Sequence, residues 1–298
     1  MRILNFLRHV SQAVAFYALL PWLYALAWLP FKPLYIIADM LCWFVSRLYR
    51  RKIVRKNLLT AFSHQSSQEL VTIEKAFYTH FCDLLVEYIK SLTLTKAQVI
   101  QRCVIQHPEL LNQLYDAGKD ILLVTGHYGN WEWAANAIAL QTKYSVGVIY
   151  KPLSNPYFDR LVQRLRRRFD KLLIHEQAIF RSLLSKHATP QATAFLADQA
   201  PAQAHAFHMP FLNIPTYFTT GLEKIATKLD PTVVYVHIRK PRRGYYAIEL
   251  EVLTEQSSAL PASRLTQLYI ARLEQDINHN PALWLWSHNR WKDTDVTA

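Results

Sequence analysis

His127, Tyr128, Gly129, Asn130, Trp131 and Glu132 place an imidazole and a carboxylate five positions apart. They follow the apolar run Ile121, Leu122, Leu123, Val124, Thr125, and Gly126 stands between. An apolar run of this length, closed by glycine, reads as a buried strand that hands over to a helix. A histidine at that junction is a candidate general base, able to take the proton of a hydroxyl group. Glu132 falls in the first turn of the following helix. From there it is expected to reach back to the ring, fix its tautomer and raise its basicity. The same residues have a plain structural reading. A lone histidine can simply pack, and a first-turn glutamate can complement the helix dipole. Spacing alone does not choose between the two.

The flanking pattern is that of an α/β protein. Strands are expected at 121–125, 145–150, 193–197, 232–239 and 245–252, the last two as a hairpin or neighbouring pair around Gly244. Helices are expected at 131–140, 156–169, 220–229 and 262–279. Residues 66–92 carry Leu70, Ile73, Phe77, Phe81, Leu84, Leu85 and Tyr88 at helical steps, with Ser66, Ser67 and Glu69 as capping residues. The expected fold is a mixed sheet flanked by helices. His127 then lies just past the C-terminal end of a strand, the edge where open α/β sheets bind ligands. Asp198, beyond the 193–197 strand, occupies the same kind of position; a turn-initiating aspartate is the bland alternative.

Composition narrows the function classes. The chain has 298 residues and a formal charge of +12, which asks for an anionic partner. Its six glycines form no phosphate-binding loop and no nucleophile elbow. Cys42, Cys82 and Cys103 are odd in number and scattered, so neither a disulfide framework nor a zinc framework is expected. His205 and His208 lack a third nearby ligand and are not read as a metal site.

Residues 10–31 contain no charged side chain, although Pro21 falls among them. As a helix they would extend about 33 Å, enough for a bilayer core of about 30 Å. Residues 1–46 are therefore expected to be a membrane anchor, transmembrane or interfacial, and 47–298 the working domain. Residues 33–46, with Asp39, would lie in the interface or pack under the first helix. Arg47, Arg50, Arg51, Lys52, Arg55 and Lys56 follow without an interspersed acid, which would keep this side cytoplasmic and near anionic headgroups.

Several phrases occur in order along nearly the whole chain. They are Val54 to Leu58 with Ala61 and Phe62; Gly126 to Glu132; Tyr150, Lys151, Pro152, Leu153, Ser154, Asn155 and Pro156; Asp159 with Arg164, Arg166, Arg167 and Arg168; Ala197, Asp198 and Gln199; and Trp286 to Lys292. Together they resemble the late (secondary) acyltransferases of lipid A biosynthesis, whose His-x4-Asp/Glu motif is shared with glycerolipid acyltransferases. The resemblance implies acyl transfer from an acyl carrier protein thioester to a hydroxyl of a lipid A precursor at the inner membrane, without cofactor or metal. It implies His127 as base and Glu132 as its partner. Arg166, Arg168, Asp198, Asn130 and Lys151 become candidate substrate-binding residues, with the guanidinium groups suited to phosphate. Backbone amides near Gly129 and Asn130, or an arginine, are candidates for stabilising the oxyanion.

Lys151 stands where the family usually has arginine, and the text after Gln199 is poorer in basic residues and glycine than is usual there. Both put the acceptor in question, so a lysophospholipid or aminolipid acceptor stays open. So does an inactive, membrane-bound lipid-binding homologue. Nucleic acid is not expected as a partner, because much of the charge adjoins the anchor and no recognised binding module is present.

Overall fold

The computed structural model describes residues 2–185, 187–201 and 206–292. In chain order the elements are α1 (Arg2–Trp28), α2 (Phe31–Leu48), α3 (Arg51–Ala61), α4 (Ser67–Lys90), α5 (Lys96–Arg102), β1 (Cys103–Ile105), α6 (Glu109–Asp116), β2 (Ile121–Thr125), α7 (Trp131–Gln141), β3 (Ser145–Tyr150), α8 (Pro156–Arg166), β4 (Leu172–His175), α9 (Ile179–Leu184), β5 (Gln191–Leu196), β6 (Ala206–Phe211), β7 (Ile214–Thr219), α10 (Gly221–Leu229), β8 (Thr232–Arg242), β9 (Tyr245–Thr254) and α11 (Arg264–His279).

Seven strands form one mixed sheet in the order β1-β9-β8-β2-β5-β3-β4. β2, the strand that carries His127 at its end, runs parallel to both neighbours, β5 and β8. All five of its residues are buried, as a central parallel strand covered on both faces requires. Side-chain alternation assigns the two faces. Tyr246 turns towards α4 and bonds Glu87, whereas Tyr235 and His237 turn towards α11 and bond Asp276.

The capping reading of α4 holds: the Ser66 hydroxyl accepts from Glu69 N–H, and the Glu69 carboxylate accepts from Ser66 N–H. The expected strands and helices of the body are all present, with ends shifted by a few residues. Four strands, β1, β4, β6 and β7, had no counterpart in the sequence reading. β1 and β4 are the short sheet edges. The β6–β7 hairpin sets Pro210 opposite Pro215 and turns through Leu212 and Asn213, both at positive φ. Proline disguises a strand, and a Leu-Asn turn lacks the glycine that marks a hairpin.

In the N-terminal region, His9–Trp28 is long and apolar enough to cross a membrane. α1 also packs along the body. Phe16 stacks on Tyr157 and meets Phe158 edge-on, Gln12 donates to Ser154 O, and Lys90 Nζ donates to Ala27 O and Leu29 O. α2 buries Leu34 and Ala38 against Cys82 and Val86 of α4. Its Asp39 pairs with Arg243, which also pairs with the buried Asp83. Ile36, Met40, Trp43, Phe44 and Leu48 stay exposed on the other side. The basic cluster that follows is less naked than its sequence implies. Glu74, brought in by α4, binds both Arg51 and Arg55, Arg50 donates to Ser287 O, and Lys52 and Lys56 face outward.

Candidate active site

The strand-to-helix junction after β2 is tightly built. Gly126 leaves room for Leu273 and Asp198: a Cβ there would stand 2.7 Å from Leu273 Cδ1 and 3.0 Å from Asp198 Oδ2. Gly129 adopts φ +60°, and a Cβ there would stand 2.6 Å from Ile238 Cγ2. Other residues are disfavoured at that φ by their Cβ, so glycine sets the turn. The C-terminal tail straps the loop: Leu285 N–H donates to His127 O, and Gly129 N–H donates to Leu283 O. Asn130 caps α7 by accepting from Trp133 N–H, and its amide donates to the fully buried Glu87 at 2.7 Å. Tyr35 and Tyr246 also donate to Glu87. Burial still raises the Glu87 carboxyl above its ordinary range, despite these donors.

The carboxylate on the His127 ring is Asp198. Its Oδ1 lies 2.6 Å from His127 Nδ1, and its Oδ2 accepts from His127 N–H and from Trp284 Nε1, each at 2.8 Å. The register explains the encounter. Thr125 pairs with Leu196 across parallel strands, so the residues two beyond each strand end emerge side by side. Burial alone would raise the Asp198 carboxyl. The charge of the His127 ring and the hydrogen bonds from His127 and Trp284 outweigh it and hold the group at about 2. Asp198 is thus an ionised acceptor, and the ring proton sits on Nδ1. Nε2 then carries the lone pair, and its partner is the Gln199 amide at 3.2 Å.

Glu132 does not take the place expected for it on that ring. Its Oε1 accepts from Arg166 Nη2 at 2.7 Å and Nε at 3.2 Å, and the side chains are 16 and 25% exposed. The Tyr88 hydroxyl lies near enough to Arg166 to favour its charge. Burial opposes the Arg166 charge, but Glu132 and Tyr88 more than offset it, so its pKa lies above the usual guanidinium value. Lys171 is buried behind this pair and donates to Asn136 Oδ1. Burial lowers it to about 8.

The remaining candidates divide. His127, Asn130, Glu132, Lys151 and Arg166 line one cavity of about 1130 Å³, somewhat above the ordinary range for ligand sites of about 300–1,000 Å³. Lys151 is exposed at its edge, 3.8 Å from Glu176. Arg168 is spent elsewhere: it donates to Ser91 O and Leu94 O just past the end of α4, which makes it a structural clamp. Asn130 is a cap tied to Glu87 as well as a wall residue. His208 lies against Tyr217, and His205 falls outside the described residues. The rest of the lining is mostly apolar: Leu84 and Leu85 of α4, Ala135 and Ile138 of α7, Phe195 of β5, and Leu222 and Ile225 of α10. Glu87, Trp284 and Gln199 were not singled out as site residues from the sequence. The signal for Glu87 was faint: it shares the buried face of α4 with Asp83 and Lys90 among apolar residues.

An α/β sheet with a His–Asp pair at its C-terminal edge, beside a large and mostly apolar cavity, has the parts to activate a hydroxyl next to an apolar ligand. The chain belongs to the bacterial lipid A biosynthesis acyltransferase family, whose profile matches residues 3–293. It is therefore an enzyme that transfers acyl groups. A comparison with curated proteins found no match.

Proposed function

We propose that this chain is a membrane-anchored O-acyltransferase that moves a fatty acyl group from an acyl carrier protein thioester to a hydroxyl of a lipid A precursor, on the cytoplasmic side of the inner membrane. The observation that carries the chemistry is the 2.6 Å contact between His127 Nδ1 and Asp198, which leaves Nε2 to act as the base. The acceptor hydroxyl gives its proton to Nε2 as its oxygen attacks the thioester carbonyl. Asp198 stabilises the imidazolium that forms. The tetrahedral oxyanion needs a donor, and Arg166, fixed in the cavity wall by Glu132, supplies a preorganised cation. Collapse breaks the carbon–sulfur bond, and His127 returns the proton to the departing thiolate. In this reading Glu132 acts through Arg166, and Asp198 takes the orienting role.

Three features support a membrane setting. His9–Trp28 is long enough to span. α2 presents Trp43, Phe44 and Leu48 next to the exposed Lys52 and Lys56. The cavity wall at Leu153 adjoins Ser154, which Gln12 of α1 bonds, so a lipid leaving the bilayer enters beside the anchor. The apolar lining suits a fatty chain, at about 0.8 kcal/mol per buried methylene. Mass spectrometry of lipids from cells with and without the gene tests this function. Loss of one acyl chain from lipid A is expected. Unchanged lipid A with an altered phospholipid or aminolipid profile contradicts it.

A further inference from the structure

The His127 ring has a second partner. Nδ1 is committed to the ionised Asp198, so Nε2 is the nitrogen that must receive the substrate proton. The side-chain Nε2 of Gln199, an amide donor, stands 3.2 Å from that atom. A hydroxyl losing its proton to His127 has to occupy the same place.

The backbone around Gln199 is held on both sides. Tyr269 donates to Ala197 O, Asp198 is bonded by His127 and Trp284, and Ala200 N–H donates to His288 Nε2. Burial lowers the His288 pKa, consistent with a neutral ring that accepts there. The Gln199 side chain itself is exposed, and its only hydrogen bond among the described residues is the one to His127. It can therefore rotate away without moving the loop that carries Asp198.

We propose that Gln199 guards the base and discriminates a lipid hydroxyl from water. This rests on His127 being the general base. With acyl donor bound and no acceptor, water is the competing nucleophile. Its oxygen would bond to the carbonyl carbon, its proton would pass to Nε2, and the carbon–sulfur bond would break. The proton would then return to the thiolate, leaving free fatty acid and thiol. Gln199 occupies the position that water needs. A lipid acceptor fills the cavity with its own chains, and that remote binding energy drives the amide off Nε2. A water molecule brings no such energy.

The test uses the full-length enzyme in detergent with lauroyl-acyl carrier protein, with and without a lipid A precursor, and reads hydrolysis and transfer together. Gln199→Met keeps the bulk and loses the donor; Gln199→Ala loses both. Each is expected to raise the ratio of hydrolysis to transfer about threefold to tenfold, the worth of one hydrogen bond. A ratio at the wild-type value in both variants, or hydrolysis and transfer falling together, overturns the guard. His127→Ala separates this from the base reading. If it abolishes both reactions while the Gln199 variants leave the ratio unmoved, only the guard fails. If it retains transfer, the base reading falls and the guard with it.

Discussion

The His127–Asp198 pair and the Glu132–Arg166 pair face the same cavity but are built in opposite ways. The first joins two strand ends, 71 residues apart in sequence, through a parallel register that leaves little freedom. The second joins the first turn of α7 to the last turn of α8, 34 residues apart, through a long guanidinium stem. Asp198 is buried and bonded by three groups, whereas Glu132 and Arg166 remain partly open to solvent. Sheet edges fix the group that must hold one proton in one tautomer. Helix turns suit a cation that has only to face a developing charge.

If that contrast is right, breaking the first pair does the greater damage. Removing the base by His127→Ala is expected to cost about 10²–10⁴ in acyl-transfer rate, measured with thioester and lipid acceptor in detergent. Arg166→Met should cost about 10²–10³, the usual loss for one oxyanion donor. Its effect should appear in kcat more than in KM. Arg168→Ala belongs to neither pair. By stranding the Ser91 and Leu94 carbonyls it should destabilise the chain by about 1–3 kcal/mol. A thermal melt should register that loss more strongly than the transfer rate per folded molecule.

The first pair also predicts a pH dependence of stability. The Asp198 carboxyl is held at about 2, below its ordinary 3.8, so the folded chain binds fewer protons than the unfolded chain in that interval. The stabilisation is therefore complete above the upper value and is lost as pH falls towards the lower one. Comparing denaturant melts of the wild type and Asp198→Asn across this window should isolate that component. A difference that stays constant with pH contradicts the ionised pairing.

Much of this was legible in the residues. An apolar run followed by Gly126 and His127 fixed the strand end, and Asp198 stood at the end of another. Parallel pairing of those two strands was not legible, because register between distant segments leaves no local pattern. Spacing therefore favoured the near carboxylate, Glu132, over the distant one. The clamp role of Arg168 was hidden for a related reason: the carbonyls it binds belong to a different helix end. The hairpin carrying Phe211 and Phe218 under Trp284 was masked by its prolines.

The pH profile of acyl transfer in Asp198→Asn and Glu132→Gln, set beside the wild type, decides which carboxylate serves the base. Its acidic limb reports protonation of His127 in the free enzyme when plotted as kcat/KM. The structure predicts a limb displaced to lower pH in Asp198→Asn, because the imidazolium loses its anion, and a limb left in place in Glu132→Gln. A limb that moves in Glu132→Gln and holds in Asp198→Asn would contradict the pairing of His127 with Asp198.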